Sequence, residues 1–546
     1  MWHRSLLDTV NQAKKRGLCL YGAGFWGEIA YRLFCKMGCE PICYCDDNAE
    51  KWDTEYMGLP VYSLEDGVKR YPEAVYLVCV DVTKRAGTWN RADFNKMLQR
   101  LKESGVYDSH SELRVIMYIF LLDMENTEHT DVNHVPFRCN SENYIEADNL
   151  DNLLILNHMS NSGSYYLEQL LDGHPNILCL PYGGETFWTV YEKRLQYLEG
   201  EELLLEMMAQ MLGYFHSEFE NLYCVREHKF EEYCVDANGE FIKEVLLDPG
   251  IFMTYLRQQF RGNMKLRSFG HMLKLYVAAY NNCLGKRKEK DTNSWIFFQM
   301  HKPGIDVSEL DDYFDENEFS HIENLVIIRE PVQQCHSWIR RVAMKQKRNT
   351  LLGTDSVFYF VLRSELGLML EKKAGYDNVK VVRFEDLKYK SEGIMKSLCR
   401  WLKIPYLDIL MSTTLNGREI YFPTYTKDGV RYITGNDLTA VKQKDFSEVL
   451  TIWDEARLNI IYAKFKQAYG YETDVPDFTE YDREFLEILL RQDFKFATIV
   501  QEVIEKYGAD EEKYDVNKFI KNLYLDYMLS YQKDTEYYDY IKPEKE

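Results

Sequence analysis

Residues 160–166, SNSGSYY, lie between an apolar run and an amphipathic one, where backbone groups can bind an anion. The preceding run NLLILN predicts a buried parallel strand, and SYYLEQLLD at 164–172 predicts a helix. The first amide groups of a helix have no acceptor within that helix and lie at the positive end of its dipole. We therefore expect this turn to bind a phosphate or a similar anion.

A second glycine-rich turn, GAGFWG, contains Gly22, Gly24 and Gly27 between a predicted strand and a predicted helix. Asp46 ends the next predicted strand, about twenty residues further on. Such glycines permit a tight turn and close approach of a phosphate, and such an acid can accept a hydrogen bond from a ribose hydroxyl. These four residues are a candidate second nucleotide site. The alternative is a Rossmann-like module that binds nothing essential. Hydride transfer is not indicated, because no second mononucleotide-binding half follows.

Arg329 ends another apolar run, NLVIIR at 324–329. Ligands of α/β proteins bind at the carboxyl ends of parallel strands, and a guanidinium at that edge can form paired hydrogen bonds with a phosphate. Ser337, two helical turns later, can add a hydroxyl donor to the same phosphate. The alternative is a surface ion pair and an ordinary residue on a helix face.

Three stretches taken together resemble the sulfotransferases that use 3′-phosphoadenosine 5′-phosphosulfate (PAPS). They are SNSGSYY with LEQLLDGHPNI after it, VIIREPVQQCHSW with Arg329 and Ser337 eight residues apart, and VVRFEDL at 381–387. The resemblance spans roughly 152–472 and is interrupted by residues 186–290. The residues that it implies for PAPS binding are Asn161, Ser162, Gly163, Ser164, Tyr165, Arg329 and Ser337.

The resemblance also implies a catalytic base, because family members carry a histidine in a short stretch between the phosphosulfate loop and the 3′-phosphate strand. FFQMHKPGID places His301 at the matching position, just after an apolar strand. An imidazole with a pKa near 6.5 suits proton abstraction from a hydroxyl at neutral pH. A structural histidine is the alternative.

Two departures from the family pattern concern positive charge. Asn161 stands where the family has a lysine or arginine, and Gln299 stands where it has a lysine. Loss of one well-placed donor lowers the rate by about 10²–10³. The residues that could supply the missing charge are Lys302, Lys345, Lys347 and Arg348.

Composition limits the partners. The 546-residue chain has a formal net charge of −21, which argues against nucleic acid as a general partner because such binding needs clustered basic residues. The thirteen cysteines form no regular framework and are expected to be reduced thiols of a cytoplasmic protein. No secretory signal pattern and no long apolar run is present, and no metal-ligand spacing is found, so we expect no transmembrane segment and no metal.

The pattern along the chain predicts an α/β protein with two modules. An N-terminal Rossmann-like parallel sheet at 1–125 and a linker at 126–149 precede a sulfotransferase-like three-layer α/β domain at 150–475. A helical insertion at about 186–290 interrupts that domain, and a helical C-terminal extension covers 476–546. The stretch DDNAEKWDTEYMGLPVYSLED resembles the small module at the front of bacterial sugar acyltransferases and other glycan-modifying enzymes.

The resemblance to PAPS-dependent sulfotransferases implies an enzyme that moves a sulfuryl group from PAPS to an acceptor hydroxyl, and the resemblance of the N-terminal module suggests a carbohydrate as the acceptor. Two alternatives remain open. One is a non-catalytic nucleotide-binding or scaffold protein with a degenerate sulfotransferase fold. The other is a glycan-modifying transferase whose donor is a sugar nucleotide bound by the 22–27 turn. A P-loop kinase is excluded because Gly-x4-Gly-Lys-Ser/Thr is absent.

Overall fold

The structure is a computed structural model, and parts of the chain lie outside its description. The residues that it describes are 2–80, 91–113, 145–158, 162–184, 186–200, 203–204, 206–207, 211, 235–240, 249–260, 264–284, 286, 293–300, 314, 318–339, 378–426, 429–435, 449–472, 483–499, 501, 515–530 and 537–544.

Fourteen strands are described, and they are two to eight residues long. In chain order they are β1 Leu18–Tyr21, β2 Cys43–Cys45, β3 Thr54–Tyr56, β4 Leu59–Tyr62, β5 Val75–Val78, β6 Asn152–His158, β7 Ile177–Gly184, β8 Trp295–Met300, β9 His321–Ile328, β10 Val379–Arg383, β11 Thr414–Leu415, β12 Arg418–Glu419, β13 Phe422–Thr426 and β14 Gly429–Ile433.

Fifteen α-helices are described, together with short 3₁₀ turns. In chain order the helices are α1 Trp2–Arg16, α2 Phe25–Lys36, α3 Leu64–Arg70, α4 Arg91–Glu103, α5 Ser164–Asp172, α6 Thr186–Lys193, α7 Pro249–Phe260, α8 Phe269–Cys283, α9 Pro331–Ile339, α10 Phe384–Tyr389, α11 Ser391–Leu402, α12 Ile452–Ile461, α13 Ala463–Ala468, α14 Arg483–Leu489 and α15 Val516–Ser530.

The chain divides into two compact units. The first comprises Met1–Ser141, Thr189–Phe230 and Leu246–Arg267, and the second comprises Glu142–Trp188, Glu231–Val245 and Ser268–Glu546. The module boundaries predicted from the sequence at 125, 150 and 475 stay predictions.

The first unit contains a five-stranded sheet in the order β3-β4-β2-β1-β5. Its pairs are parallel except β3 with β4, and β1 and β5 are buried along their whole length. Full burial requires helices on both faces, which explains why these strands read as continuous apolar runs rather than as alternating ones. On one face Cys19, Tyr21 and Tyr76 pack with Phe94 and Leu101.

The second unit contains a fully parallel five-stranded sheet in the order β10-β9-β6-β8-β7. On one face Leu154 and Leu156 pack against leucines of α5 and α11, among them Leu167 and Leu398. On the other face Phe298 contacts Phe269 of α8 and Phe314, with ring centroids 5.8 and 5.7 Å away. The predicted α/β class, with parallel sheets and helices, is confirmed.

The connections of this sheet define where its ligand crevice lies. The chain leaves β6 toward β7 on one side of the sheet, whereas it leaves β9 toward β10 on the other side. β6 and β9 are neighbours, with Ile155 paired with Asn324 and His158 paired with Ile327. This strand order predicts a crevice between the carboxyl ends of these two strands, which is the usual ligand position in open α/β sheets.

The segment 537–544 covers the edge of β10. Val381 donates its N–H to the carbonyl of Asp539 (2.9 Å) and accepts the N–H of Ile541 (2.7 Å) in a parallel bridge. The side chain of Ile541 joins the apolar core below the sheet. The C-terminal region is helical in α14 and α15, as predicted, and it then contributes this strand-like segment.

Candidate functional site

The turn after β6 brings buried polar groups to the mouth of the crevice. Ser162 is fully buried and Gly163 is the N-cap of α5. Gly163 has φ +97°, and a Cβ at this position would collide with the ring of Phe384. Glycine is therefore required here both by backbone conformation and by space. The helix begins at Ser164 as predicted, so its first amides point into the turn.

Arg329 follows the last residue of β9 and lies at the same edge of the sheet. Its guanidinium carbon is 5.1 Å from the centroid of the Phe384 ring, the ring that also contacts Gly163. Burial lowers the pKa of Arg329, and the carboxylates of Glu385 and Glu330 oppose that shift. Phe384 thus neighbours two of the residues predicted to bind the donor, Gly163 and Arg329.

The other predicted donor-binding residues fall in different surroundings. Tyr165 is 52% exposed, so its contribution to an anion would come from its backbone amide. Ser337 lies in the last turn of α9 and is half-buried. Asn161 and His301 lie outside the described residues, as do Lys302, Lys345, Lys347 and Arg348. Their predicted roles stay predictions.

A group of ionic contacts behind Arg329 was not anticipated from the sequence. The carboxylate of Glu385 accepts the backbone N–H of Glu330 and the phenol O–H of Tyr471, both at 3.0 Å. Lys466 forms an ion pair with Glu330 at 2.7 Å. Arg383 binds Asp386 at 2.9 Å and lies 4.6 Å from the centroid of the Tyr471 ring. Apart from Arg383 and Asp386, which are three positions apart, the paired residues lie 55 to 136 positions apart in the chain, and no local pattern links them.

A further cation lies beside the first turn of α5. The ammonium group of Lys388 is 3.8 Å from the ring centroid of Tyr166 and donates to the carbonyl of Gly435 at 3.4 Å. Burial lowers the pKa of Lys388 to about 8. The hydroxyl of Tyr166 donates to the same carbonyl at 2.6 Å, and burial raises its pKa to about 12. Sequence reasoning missed Lys388, although it follows directly on the VVRFEDL motif.

Replacing Lys388 by methionine should stabilise the protein at pH 7 by about 1 kcal/mol, because the buried ammonium group loses hydration. The folded state releases this proton near pH 8, whereas an unfolded lysine keeps it to about pH 10.4. The burial penalty therefore falls as pH rises through this window, and the advantage of Lys388→Met should shrink. Denaturant unfolding of both proteins at pH 7 and pH 9.5 measures this difference.

Lys396→Met is the matched control, because Lys396 is a surface lysine paired with Glu392. Its effect on unfolding should be small at both pH values. An equal stabilisation by Lys388→Met at pH 7 and pH 9.5 would contradict the assignment of a buried charge to Lys388.

Two buried amide side chains lie at the carboxyl ends of neighbouring strands. The Nε2 atom of Gln299 on β8 and the Oδ1 atom of Asn157 on β6 are buried without a hydrogen-bond partner among the residues described. Asn157 also donates to Asn324 at 3.5 Å, near the limit of a hydrogen bond. Buried polar atoms normally form hydrogen bonds, so these two amide groups are candidates to bind a ligand at the carboxyl ends of β6 and β8.

The first unit brings its four predicted residues together at the carboxyl end of β1. Gly22 has φ +123°, and a Cβ there would collide with the carbonyl oxygen of Cys79; a Cβ on Gly27 would collide with that of Gly22. Gly24 is the N-cap of α2. These contacts are the tight turn and the close helix packing that the glycine pattern predicts.

The carboxylate of Asp46 binds two groups of its own unit. Its Oδ2 atom accepts the N–H of Ala23 (2.8 Å) and forms an ion pair with Lys51 (3.0 Å). Lys51 also donates to the carbonyl of Ala23 at 2.8 Å. A nucleotide at this turn would have to displace these contacts or extend them.

Three further observations concern the cysteines, membrane-spanning helices and metal-binding groups of the described residues. The ten described cysteines are all free. No helix within the described ranges has both the length and the apolarity needed to cross a bilayer. Among the residues that the structure places, no three His, Cys, Asp or Glu side chains form a group that could hold a metal ion.

Comparison with protein-family models finds no match, and comparison with curated proteins finds none. Nine chains of solved structures are similar to this chain, and sulfotransferases are among them. A sulfotransferase domain from the curacin biosynthetic pathway is 12% identical, covers 59% of this chain and 99% of its own, and has a TM-score of 0.29. A sulfotransferase domain of the Synechococcus PCC 7002 olefin synthase is 15% identical, with coverage of 68% and 98% and a TM-score of 0.25.

The third similar structure is sulfotransferase STF9 from Mycobacterium avium, which is 13% identical, with coverage of 60% and 78% and a TM-score of 0.29. Scores and identities this low carry no argument about chemistry. The case for a function therefore depends on the residues of this chain. The resemblance of the first unit to sugar acyltransferase modules stays a prediction.

Proposed function

We propose that the second unit binds PAPS and transfers its sulfuryl group to an acceptor hydroxyl on a carbohydrate. One observation carries the proposal: the ring of Phe384 lies against Gly163 of the 162–165 turn and 5.1 Å from the guanidinium carbon of Arg329, so the two groups share one neighbour. A ligand that joins two anionic groups through one nucleoside suits this arrangement. The turn would hold the 5′-phosphosulfate, and Arg329 with Ser337 would hold the 3′-phosphate.

In the proposed reaction the acceptor oxygen attacks sulfur in line with the bond that breaks. The S–O bond to the 5′-phosphate cleaves, its electron pair stays on the phosphate oxygen, and adenosine 3′,5′-bisphosphate leaves. His301 takes the proton of the acceptor hydroxyl. Asn161 and the 162–165 amides would donate hydrogen bonds to the leaving phosphate oxygens, in place of the lysine or arginine of related enzymes.

The proposal extends to the first unit and to the setting of the protein. Gly22, Gly24, Gly27 and Asp46 would bind a nucleotide or sugar nucleotide once the Asp46 carboxylate is released from Ala23 and Lys51. Free thiols throughout the described residues support a cytoplasmic setting, because disulfides are rare there.

Titration calorimetry with adenosine 3′,5′-bisphosphate tests the proposal. Arg329→Ala should weaken binding about 10- to 100-fold, because hydrogen bonds to charged groups contribute roughly 1.5–3 kcal/mol. Arg418→Ala is the control, since Arg418 is an exposed residue of β12. Wild-type protein that binds only sugar nucleotides would overturn the proposal. Tight binding without any sulfuryl transfer would favour the non-catalytic alternative.

A further inference from the structure

The carboxylate of Glu385 joins two segments that lie far apart in the chain. Its Oε1 atom accepts the N–H of Glu330, the residue directly after Arg329, and its Oε2 atom accepts the O–H of Tyr471. Both distances are 3.0 Å, within the normal range for hydrogen bonds to a carboxylate. The peptide that carries Arg329 is thereby tied to the segment after α13.

Tyr471 is itself held from several sides. Its ring lies 4.6 Å from the guanidinium carbon of Arg383. Arg383 donates to the carbonyls of Tyr469 at 2.9 Å and Gly470 at 2.6 Å, and it forms an ion pair with Asp386. A buried aromatic ring with these neighbours has little freedom to rotate, so the position of its hydroxyl is well defined.

A second tie fixes Glu330. Its side chain forms an ion pair with Lys466 (2.7 Å) and caps the start of α9 by accepting the N–H of Gln333 (2.8 Å). The peptide after Arg329 is therefore restrained through both its backbone and its side chain. The cap of α9 uses only the side chain of Glu330, whereas Glu385 binds its backbone N–H.

Arg329 and Glu385 are buried charged groups, and each affects the ionisation of the other. Burial lowers the pKa of Arg329, and among the groups that oppose this shift Glu385 acts most strongly, ahead of Glu330 and Tyr471. Burial also raises the pKa of Glu385, while hydrogen bonds from Glu330 and Tyr471 lower it. The Tyr471 hydroxyl thus stabilises the ionised carboxylate of Glu385 near Arg329.

We propose that Glu385 and Tyr471 are positioning residues that hold Arg329 in the orientation needed for the 3′-phosphate of the donor. The inference rests on the proposed function, and it assigns a role to two side chains that do not touch the nucleotide. Because they act through Arg329, their loss should affect recognition of the 3′-phosphate and leave the 5′ end of the nucleotide unaffected.

The test compares two nucleotides that differ in the 3′-phosphate. Tyr471→Phe removes one hydroxyl and keeps the ring that packs on Arg383. Its affinity for adenosine 3′,5′-bisphosphate should fall about tenfold, whereas its affinity for adenosine 5′-phosphate, which lacks only the 3′-phosphate, should change less than about twofold. Glu385→Gln, which removes the charge and keeps the shape, should show the same selective loss.

Tyr421→Phe is the matched control, because the Tyr421 hydroxyl donates to Glu419 at 2.8 Å in a solvent-exposed hydrogen bond. Neither nucleotide should bind it differently from the wild-type protein. Thermal midpoints of all three variants show whether folding is affected.

Equal loss of both nucleotides in Tyr471→Phe and Glu385→Gln, or no loss of either, would overturn the positioning role and leave the proposed function intact. Wild-type protein that fails to bind the bisphosphate, or that binds it equally well after Arg329→Ala, would overturn the proposed function and the positioning role together. The two failures are therefore distinguishable in one set of titrations.

Discussion

Gly163→Ala is expected to lower the free energy of unfolding by about 2–5 kcal/mol and to abolish binding of adenosine 3′,5′-bisphosphate. A left-handed backbone conformation costs an L-residue roughly 1–2 kcal/mol, and overpacking adds about 1–3 kcal/mol. The added Cβ would collide with the ring of Phe384, which also lies 5.1 Å from the guanidinium carbon of Arg329. Denaturant unfolding and titration calorimetry measure the two effects.

Gly417→Ala separates the two contributions. Gly417 has φ +73° and belongs to the same unit, but a Cβ there meets no atom within 4 Å. This control should show the conformational cost alone and should bind the nucleotide normally. Adding Phe384→Leu to Gly163→Ala should restore part of the lost stability, because it removes ring atoms at the collision point. A Gly163→Ala protein as stable as Gly417→Ala would contradict the packing described for the turn.

His301→Ala is expected to lower kcat by about 10²–10⁴ while leaving the Kd for adenosine 3′,5′-bisphosphate almost unchanged. A proton acceptor acts on the acceptor hydroxyl and makes no contact that the desulfated nucleotide requires. The wild-type kcat should also fall below about pH 6.5, since a protonated imidazole cannot accept the proton. Steady-state kinetics with PAPS and a hydroxyl acceptor, together with calorimetry, measure both quantities.

His321→Ala is the control for this substitution. His321 is exposed at the amino end of β9, the end of the sheet opposite to Arg329. Its replacement should leave kcat and Kd unchanged. A His301→Ala protein that turns over at the wild-type rate would show that another group, or water, accepts the proton.

Local sequence patterns were sufficient for the elements that carry the turn. The helix SYYLEQLLD was predicted at 164–172 and is found at Ser164–Asp172, and the strand WIFFQM is found at Trp295–Met300. The helix has an apolar periodicity and a glycine in the left-handed conformation at its start, and the strand is a short apolar run, so both depend on short-range features. The position of Arg329 at the sheet edge follows in the same way from an apolar run that ends in a charged residue.

The contacts around Arg329 could not be predicted in that way. Glu385 meets Glu330 across 55 residues and Tyr471 across 86, and each pairing depends on how separate segments pack. Asp46 illustrates the same limit, because a motif gives its place beside the glycine turn but not its ion pair with Lys51. Spacing identifies candidate groups, and tertiary packing decides which partners they find.

The strand-like segment along β10 has a consequence for folding during synthesis. Lys380 and Asp539, which pair across that edge, are 159 residues apart. At translation rates of ~5–20 residues per second, β10 would wait roughly 8–30 s for its partner after leaving the ribosome. An unpaired edge strand is prone to join other chains, so nascent protein should be most vulnerable to aggregation in this interval.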